Sequence, residues 1–138
     1  MADADYDELV ARGVELAEEE DYAEAIRVLQ QAAALDDGRV DAHYNLGVVY
    51  GLLAMSDLDL EDYFEDKVDE EIFLQNALEE YQHVLEIDPN HVAAHNNLAT
   101  VCALHGDVDQ AMRELQLSLD LDPNQPEVRE QLEDLEGT

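Results

Sequence analysis

Two histidines four residues apart, His91 and His95, have the residue type and spacing that most readily suggest chemistry in this sequence. Residues at i and i+4 share one face of an α-helix, and imidazole nitrogens are common ligands of zinc and related metals. With nearby carboxylates they would make a metal-binding protein or a metal-dependent enzyme, which we keep as the alternative interpretation. The favoured interpretation is that they pack between helices, so no metal site is predicted.

Other catalytic patterns are weak. The acidic stretch from Asp57 to Asp62 resembles a calcium loop only loosely, because the glycine and the terminal glutamate of the EF-hand spacing are missing. The two serines, Ser56 and Ser118, lie in no nucleophile-elbow sequence, and the sequence has no glycine-rich phosphate loop. It therefore favours a protein that is not an enzyme and uses no cofactor.

The charge is strongly unbalanced, since 36 acidic side chains against 6 basic ones give a net charge of −30. Phosphate contacts need basic side chains, so no nucleic-acid partner is expected. Two explanations stay open: a surface adapted to high salt, where screening reduces self-repulsion, and an acidic surface evolved for a basic partner. No apolar run approaches the length of a membrane span, and Met1 to Asp21 has no signal-peptide pattern, so a cytoplasmic location without membrane contact is expected.

The sequence also repeats itself. Ile87-Asp88-Pro89-Asn90 recurs 34 residues later as Leu121-Asp122-Pro123-Asn124. Small residues keep two related sets of intervals, which fit a unit of 34 residues with 18 extra residues inside its middle copy. A constant period of this length, with apolar residues at helical spacing, is typical of an array of paired helices. The small residues are Ala25, Ala77 and Ala111 in one set and Gly13, Gly47 and Ala99 in the other.

In these features the sequence resembles the tetratricopeptide repeat (TPR) family over nearly its whole length. The resemblance implies an all-α helix-turn-helix repeat array, or α-solenoid, that forms a single domain over residues 1–138. Its repeats would span residues 6–39, 40–91 and 92–125, with the insertion at about 54–75 and a capping helix at 126–136. Tyr81 and Cys102 stand at large packing sites of the family pattern and are expected to be buried.

The resemblance also implies a concave groove formed by the first helices of the units, a surface that binds peptides or protein segments. The TPR subclass that grips a C-terminal carboxylate has Lys, Arg and Asn at groove positions, but here only Asn45 and Asn97 match. We therefore expect a non-enzymatic adaptor or assembly scaffold for an apolar or weakly basic protein or peptide segment, although some of the valines could belong to the core. The predicted groove residues are Val10, Val14, Tyr44, Asn45, Val48, Asn96, Asn97 and Thr100.

The insertion carries both phenylalanines of the chain and several other large apolar residues, for which an ordinary repeat has no core. Its last part is predicted to extend the second helix of the unit backwards to about Glu65. Two interpretations stay open: the inserted residues pack on each other as a hairpin, or they contact a partner or a second copy of the chain in a homo-oligomer. The predicted contact residues are Leu60, Tyr63, Phe64, Ile72 and Phe73.

Overall fold

A computed structural model describes residues 2–56 and 70–137 of the chain, and these ranges consist of helices joined by short turns. None of the helices in these ranges is long and apolar enough to cross a bilayer. The helices are α1 (Ala2–Glu18), α2 (Tyr22–Leu35), α3 (Val40–Ala54), α4 (Glu70–Ile87), α5 (Val92–His105), α6 (Val108–Leu121) and α7 (Pro126–Glu136).

The helices end and begin at the turn residues of the sequence. Helix α4 ends at Ile87, immediately before Asp88 and Pro89, because proline cannot continue the backbone hydrogen-bond ladder. Gly106 ends α5 in the left-handed region, with φ of 94°, where a residue without Cβ is favoured. The Asp107 carboxylate then accepts a hydrogen bond from the backbone N–H of Gln110 at 3.1 Å and caps α6.

The helices pack as three successive pairs, α1 with α2, α3 with α4, and α5 with α6, and each pair also contacts the next. Helix α7 packs on α6 and buries Val128 and Leu132, while its opposite side is acidic and exposed. One hydrophobic core runs without interruption from Leu16 in α1 to Leu132 in α7. This confirms the all-α repeat array.

Glycines allow the two helices of a pair to approach closely. A Cβ added to Gly47 of α3 would lie 2.6 Å from Cε1 of Tyr81 in α4, and one added to Gly13 of α1 would lie 2.5 Å from Cγ of Leu29 in α2. These close contacts lie at two of the small positions that the repeat intervals pick out.

Tyr6 fixes the first pair of helices to the second. Its buried hydroxyl accepts a hydrogen bond from the backbone N–H of Ala42 at 2.9 Å. The Arg39 guanidinium lies 4.1 Å from the centre of the Tyr6 ring, a cation–π contact. Together these contacts set α1 beside α3, which is the arrangement that the first part of the groove requires.

Candidate functional site

Three hollows follow one another along the face shared by α1, α3, α5 and α7. The first lies between α1 and α3 and measures about 290 Å³. The second lies between α3 and α5 and measures about 180 Å³, and the third, between α5 and α7, measures about 360 Å³. Val48 lines the first two hollows and Thr100 the last two. We call this continuous series of hollows the groove.

Five of the eight predicted groove residues line these hollows. Val14, Asn45 and Val48 line the first, and Asn97 and Thr100 reach the second. The valines are half-buried, so they contribute to the groove wall and to the packing beneath it.

The other three predicted residues, Val10, Tyr44 and Asn96, line none of the three hollows. Val10 packs beside the small buried cluster around Tyr6. The Tyr44 ring lies against His91, and its hydroxyl accepts a hydrogen bond from Nδ2 of Asn97 at 3.2 Å. Asn96 uses its Nδ2 to bond Oε1 of Gln125 at 2.8 Å. These three predicted groove residues therefore contact other side chains and do not line the hollows.

Three large apolar side chains of the groove did not appear in the sequence prediction. Leu52, Met55 and Leu104 line its hollows and are 40%, 53% and 49% exposed. Leu52 and Leu104 follow Val48 and Thr100 by four residues, and therefore lie one turn further on the same helix faces. That spacing was the signal that could have identified them.

The charge of the groove is negative. Its lining residues include the acids Glu18 and Asp134, and no Lys or Arg lines any of the three hollows within the described ranges. Arg39 is already engaged, because its Nη2 lies 2.9 Å from Oδ1 of Asp7. The groove thus combines apolar walls with an acidic surrounding.

Two family models match most of the chain. The model described as "Tetratricopeptide repeat" matches residues 74–133, and the model described as "TPR repeat" matches residues 13–53. The chain belongs to the tetratricopeptide repeat family. Comparison with curated protein sequences gives no significant match for this TPR protein.

Solved structures of TPR proteins have the same fold at low sequence identity. The Arabidopsis OM64 TPR domain is 13% identical, with a TM-score of 0.81 over 99% of this chain and 98% of that one. The second TPR domain of human RPAP3, in complex with the HSP70 peptide SGPTIEEVD, is 15% identical, with a TM-score of 0.78 over 99% and 98%. The Yersinia enterocolitica type III secretion chaperone SycD, in complex with a peptide of the translocator YopD, is 18% identical, with a TM-score of 0.73 over 94% and 91%.

In this TPR protein, His91 caps a helix and His95 packs between helices. His91 is the N-cap of α5, where its Nδ1 accepts a hydrogen bond from the backbone N–H of Ala94 at 3.0 Å. His95 is buried, with Nδ1 2.6 Å from Oε2 of Glu114 and Nε2 donating to the Pro89 carbonyl at 2.8 Å. Among the described residues, His91 and His95 belong to no group of three possible metal ligands, so the described ranges give the alternative metal site no support.

The predicted contact surface of the insertion divides into three parts. Leu60, Tyr63 and Phe64, like the predicted helix start near Glu65, lie outside the described residues. Ile72 is 51% exposed, and its contact with a partner stays a prediction. Phe73, by contrast, is buried and stacks on Tyr50, with ring centres 6.3 Å apart.

The prediction that Phe73 contacts a partner is therefore wrong in this structure. Phe73 precedes Ala77 by four residues and so lies on the face of α4 that already packs on α3. Phe73 extends the core of the second helix pair by one turn.

Proposed function

We propose that this TPR protein is a non-catalytic interaction module that binds an apolar, positively charged segment of another protein in the groove. The observation that carries this proposal is the unbroken series of three hollows along α1, α3, α5 and α7, lined by exposed leucine and methionine side chains. A contiguous apolar strip of this kind on an acidic protein is typical of an interaction site.

The apolar lining sets the side-chain preference of the bound segment. Leu52 borders the first two hollows and Leu104 the third. A segment that placed one apolar side chain in each hollow would bury these leucines and Met55 together. Each side chain that becomes fully buried contributes roughly 1.5–3 kcal/mol before the cost of ordering the segment is subtracted.

Two asparagines are placed to bind the backbone of such a segment. Nδ2 of Asn45 donates to the Asp41 carbonyl at 2.8 Å, and Nδ2 of Asn97 donates to the Tyr44 hydroxyl at 3.2 Å. These bonds use Nδ2 and orient both amides, and the Asn97 side chain also hydrogen-bonds with Tyr81, so each amide presents its Oδ1 atom as an acceptor. We assign to these oxygens the role of accepting backbone N–H groups of the ligand.

The charge of the groove selects against an acidic tail. The HSP70 peptide in the human RPAP3 complex ends in Glu-Glu-Val-Asp, and gripping such an end calls for cations. The described lining of this groove offers Glu18 and Asp134 instead. With a net charge of −30, the chain would repel an acidic segment and would attract a basic one, which raises its association rate.

Peptide selection tests this proposal. A displayed random-peptide library would be panned at about 0.1 M salt, where charge attraction still acts, on the wild-type protein, on Leu52→Ser/Leu104→Ser and on Leu117→Ser. Leu117 is 47% exposed but lies on α6 and lines none of the three hollows, so it is the matched control.

We expect the wild-type protein to enrich apolar peptides that carry Lys or Arg. The paired groove change should weaken their binding by at least roughly tenfold, and the control should keep it. Enrichment of acidic C-terminal sequences, or equal binding by all three proteins, would contradict the proposed groove.

The insertion is the proposed second contact, with a partner or with another copy of the chain, through Leu60, Tyr63, Phe64 and Ile72. Because Phe73 belongs to the core, the informative variant is Phe64→Ser/Ile72→Ser. If the insertion mediates self-association, light scattering should show an oligomer for the wild-type chain and a monomer for the variant. A wild-type monomer at all concentrations would remove self-association from the proposal.

A further inference from the structure

A cluster of metal-ligand side chains lies in the helix pair before the one that begins with the histidines that the sequence singled out. It joins Asp37 in the turn before α3, His43 on α3 and His83 on α4, whose ligand atoms all lie within 4.8 Å of one another. Nε2 of His43 lies 2.9 Å from Oδ1 of Asp37 and donates to the Asp37 carbonyl at 3.2 Å. The rings of His43 and His83 meet edge to face, with centres 4.9 Å apart.

The next helix pair of the same chain contains the same arrangement without the extra ligands. His43 pairs with Glu80, and His95 pairs with Glu114, in both cases with Nδ1 2.6 Å from the carboxylate oxygen. Each pair joins a first helix to the second helix of its own unit.

The remaining positions differ between the two units. At the sequence intervals of the repeat, Asp37 corresponds to Pro89 and His83 to Leu117. Asp37 and His83 are therefore additions to a packing arrangement that the fold forms without them. Within the described ranges the ring nitrogens of His83 make no hydrogen bond.

We propose that Asp37, His43 and His83 form a zinc site, with Oδ1 of Asp37, Nε2 of His43 and one ring nitrogen of His83 as ligands. Two imidazoles and a carboxylate are a donor set that zinc accepts, with a fourth position left for water. Calcium and magnesium prefer sites made of oxygens alone, so the two imidazoles favour zinc or a similar transition metal.

Glu80 stabilises the proposed site by accepting a hydrogen bond from its ligand His43. Its Oε2 lies 2.6 Å from Nδ1 of His43, so the carboxylate accepts the Nδ1 proton and directs Nε2 towards Asp37 and His83. A carboxylate behind a ligating histidine is the usual way in which proteins fix the tautomer and the ring orientation of a zinc ligand.

The ligand atoms have room to close around an ion. Zinc–ligand bonds of about 2.0–2.2 Å in a tetrahedron require ligand atoms roughly 3.3 Å apart. The Asp37 side chain is 81% exposed and His83 is exposed, so both can move, while His43 is held by its burial and by Glu80. A bound ion would replace the proton on Nε2 of His43 and would tie the turn between the first two units to α4.

Zinc titration of the metal-free protein tests the site, with His83→Leu and Asp37→Asn as site variants. His83→Leu reproduces the leucine found at the corresponding position of the next unit. His105→Leu is the matched control, because His105 is an exposed histidine on α5, away from the cluster. All the changed residues are exposed, and circular dichroism would confirm that every variant is helical.

The titration would be run at pH 8 in molar KCl. Burial lowers the pKa of His43, but Glu80 and Asp37 outweigh this effect and raise the pKa above its usual value, so protons compete with zinc at lower pH. Molar salt screens diffuse attraction of Zn²⁺ to the 36 acidic side chains.

We expect one zinc ion per wild-type chain, with binding at least roughly tenfold weaker in both site variants and unchanged in the control. Zinc should also raise the melting temperature of the wild-type protein, and should raise that of His83→Leu much less. Equal affinity in all four proteins, or several weakly bound ions per chain, would overturn the proposal, because either result would mean adventitious binding to the acidic surface.

Discussion

Gly47 packs directly against the ring of Tyr81, and a Cβ at position 47 would lie 2.6 Å from Cε1 and 2.8 Å from Cζ. The Tyr81 ring cannot withdraw easily, because it is 2% exposed and belongs to the continuous core. We predict that Gly47→Ala lowers the free energy of unfolding by roughly 1–3 kcal/mol, which is the cost of overpacking. Denaturant unfolding at constant salt measures it.

Gly51, one turn later on α3, is the control for this prediction. A Cβ at Gly51 meets no atom within 4 Å, so only helix propensity should change. Gly51→Ala is expected to raise the free energy of unfolding by up to about 1 kcal/mol. Equal effects of the two substitutions would show that α3 and α4 do not pack as described.

Phe73 and its neighbour Ile72 should differ sharply in their effect on stability. Phe73 is 6% exposed and stacks on Tyr50, whereas Ile72 is 51% exposed. Phe73→Ala should cost roughly 3–5 kcal/mol of unfolding free energy, and Ile72→Ala should change it by less than about 0.5 kcal/mol. A small effect at Phe73, measured by the same denaturant titration, would mean that α4 has a different rotation.

The single cysteine should be unreactive in the folded protein. Burial, reinforced by the charges of Asp107 and Glu114, raises the pKa of the Cys102 thiol to about 11. At pH 8 the folded chain then has roughly a hundredfold less thiolate than the unfolded chain, and the thiolate is the reactive form. A disulfide reagent should therefore modify Cys102 quickly only in denaturant, and rapid reaction of the native protein would contradict this burial.

Salt should stabilise the protein. A net charge of −30 produces self-repulsion, which falls as the screening length shortens from about 10 Å at 0.1 M salt to about 3 Å at 1 M. We predict that the melting temperature rises by several degrees between these concentrations. The variant Glu127→Gln/Glu130→Gln/Glu133→Gln, which neutralises exposed acids of α7, should show a smaller rise, and a flat wild-type curve would rule out this effect of charge.

The fold could be predicted because the sequence contains repeated units, and equivalent residues of these units can be compared with each other. The intervals between Gly13, Gly47 and Ala99 and those between Ala25, Ala77 and Ala111 identified the close helix contacts, and the described residues show two of these contacts at Gly13 and Gly47.

The groove and the histidines were harder to predict, because local spacing does not show what a side chain meets in another helix. The i, i+4 spacing does not place His91 on the same helix face as His95, because His91 is the N-cap of α5. Its side chain accepts a hydrogen bond from the backbone N–H of Ala94. Tyr44 is a predicted groove residue, but its ring contacts Tyr81 and His91. The cluster at His83 joins residues 37–43 to a residue on another helix, so no single stretch of sequence could indicate it.

The proposed function depends most on the groove as the binding surface, and amide NMR shifts test this most directly. A selected apolar, basic peptide would be added to the ¹⁵N-labelled protein in molar salt. We predict that the largest shift changes map to residues that line the three hollows, namely Val14, Asn45, Val48, Leu52, Asn97, Thr100 and Leu104. Changes concentrated instead on α2, α6 or residues 57–69, with these groove residues unaffected, would contradict the account.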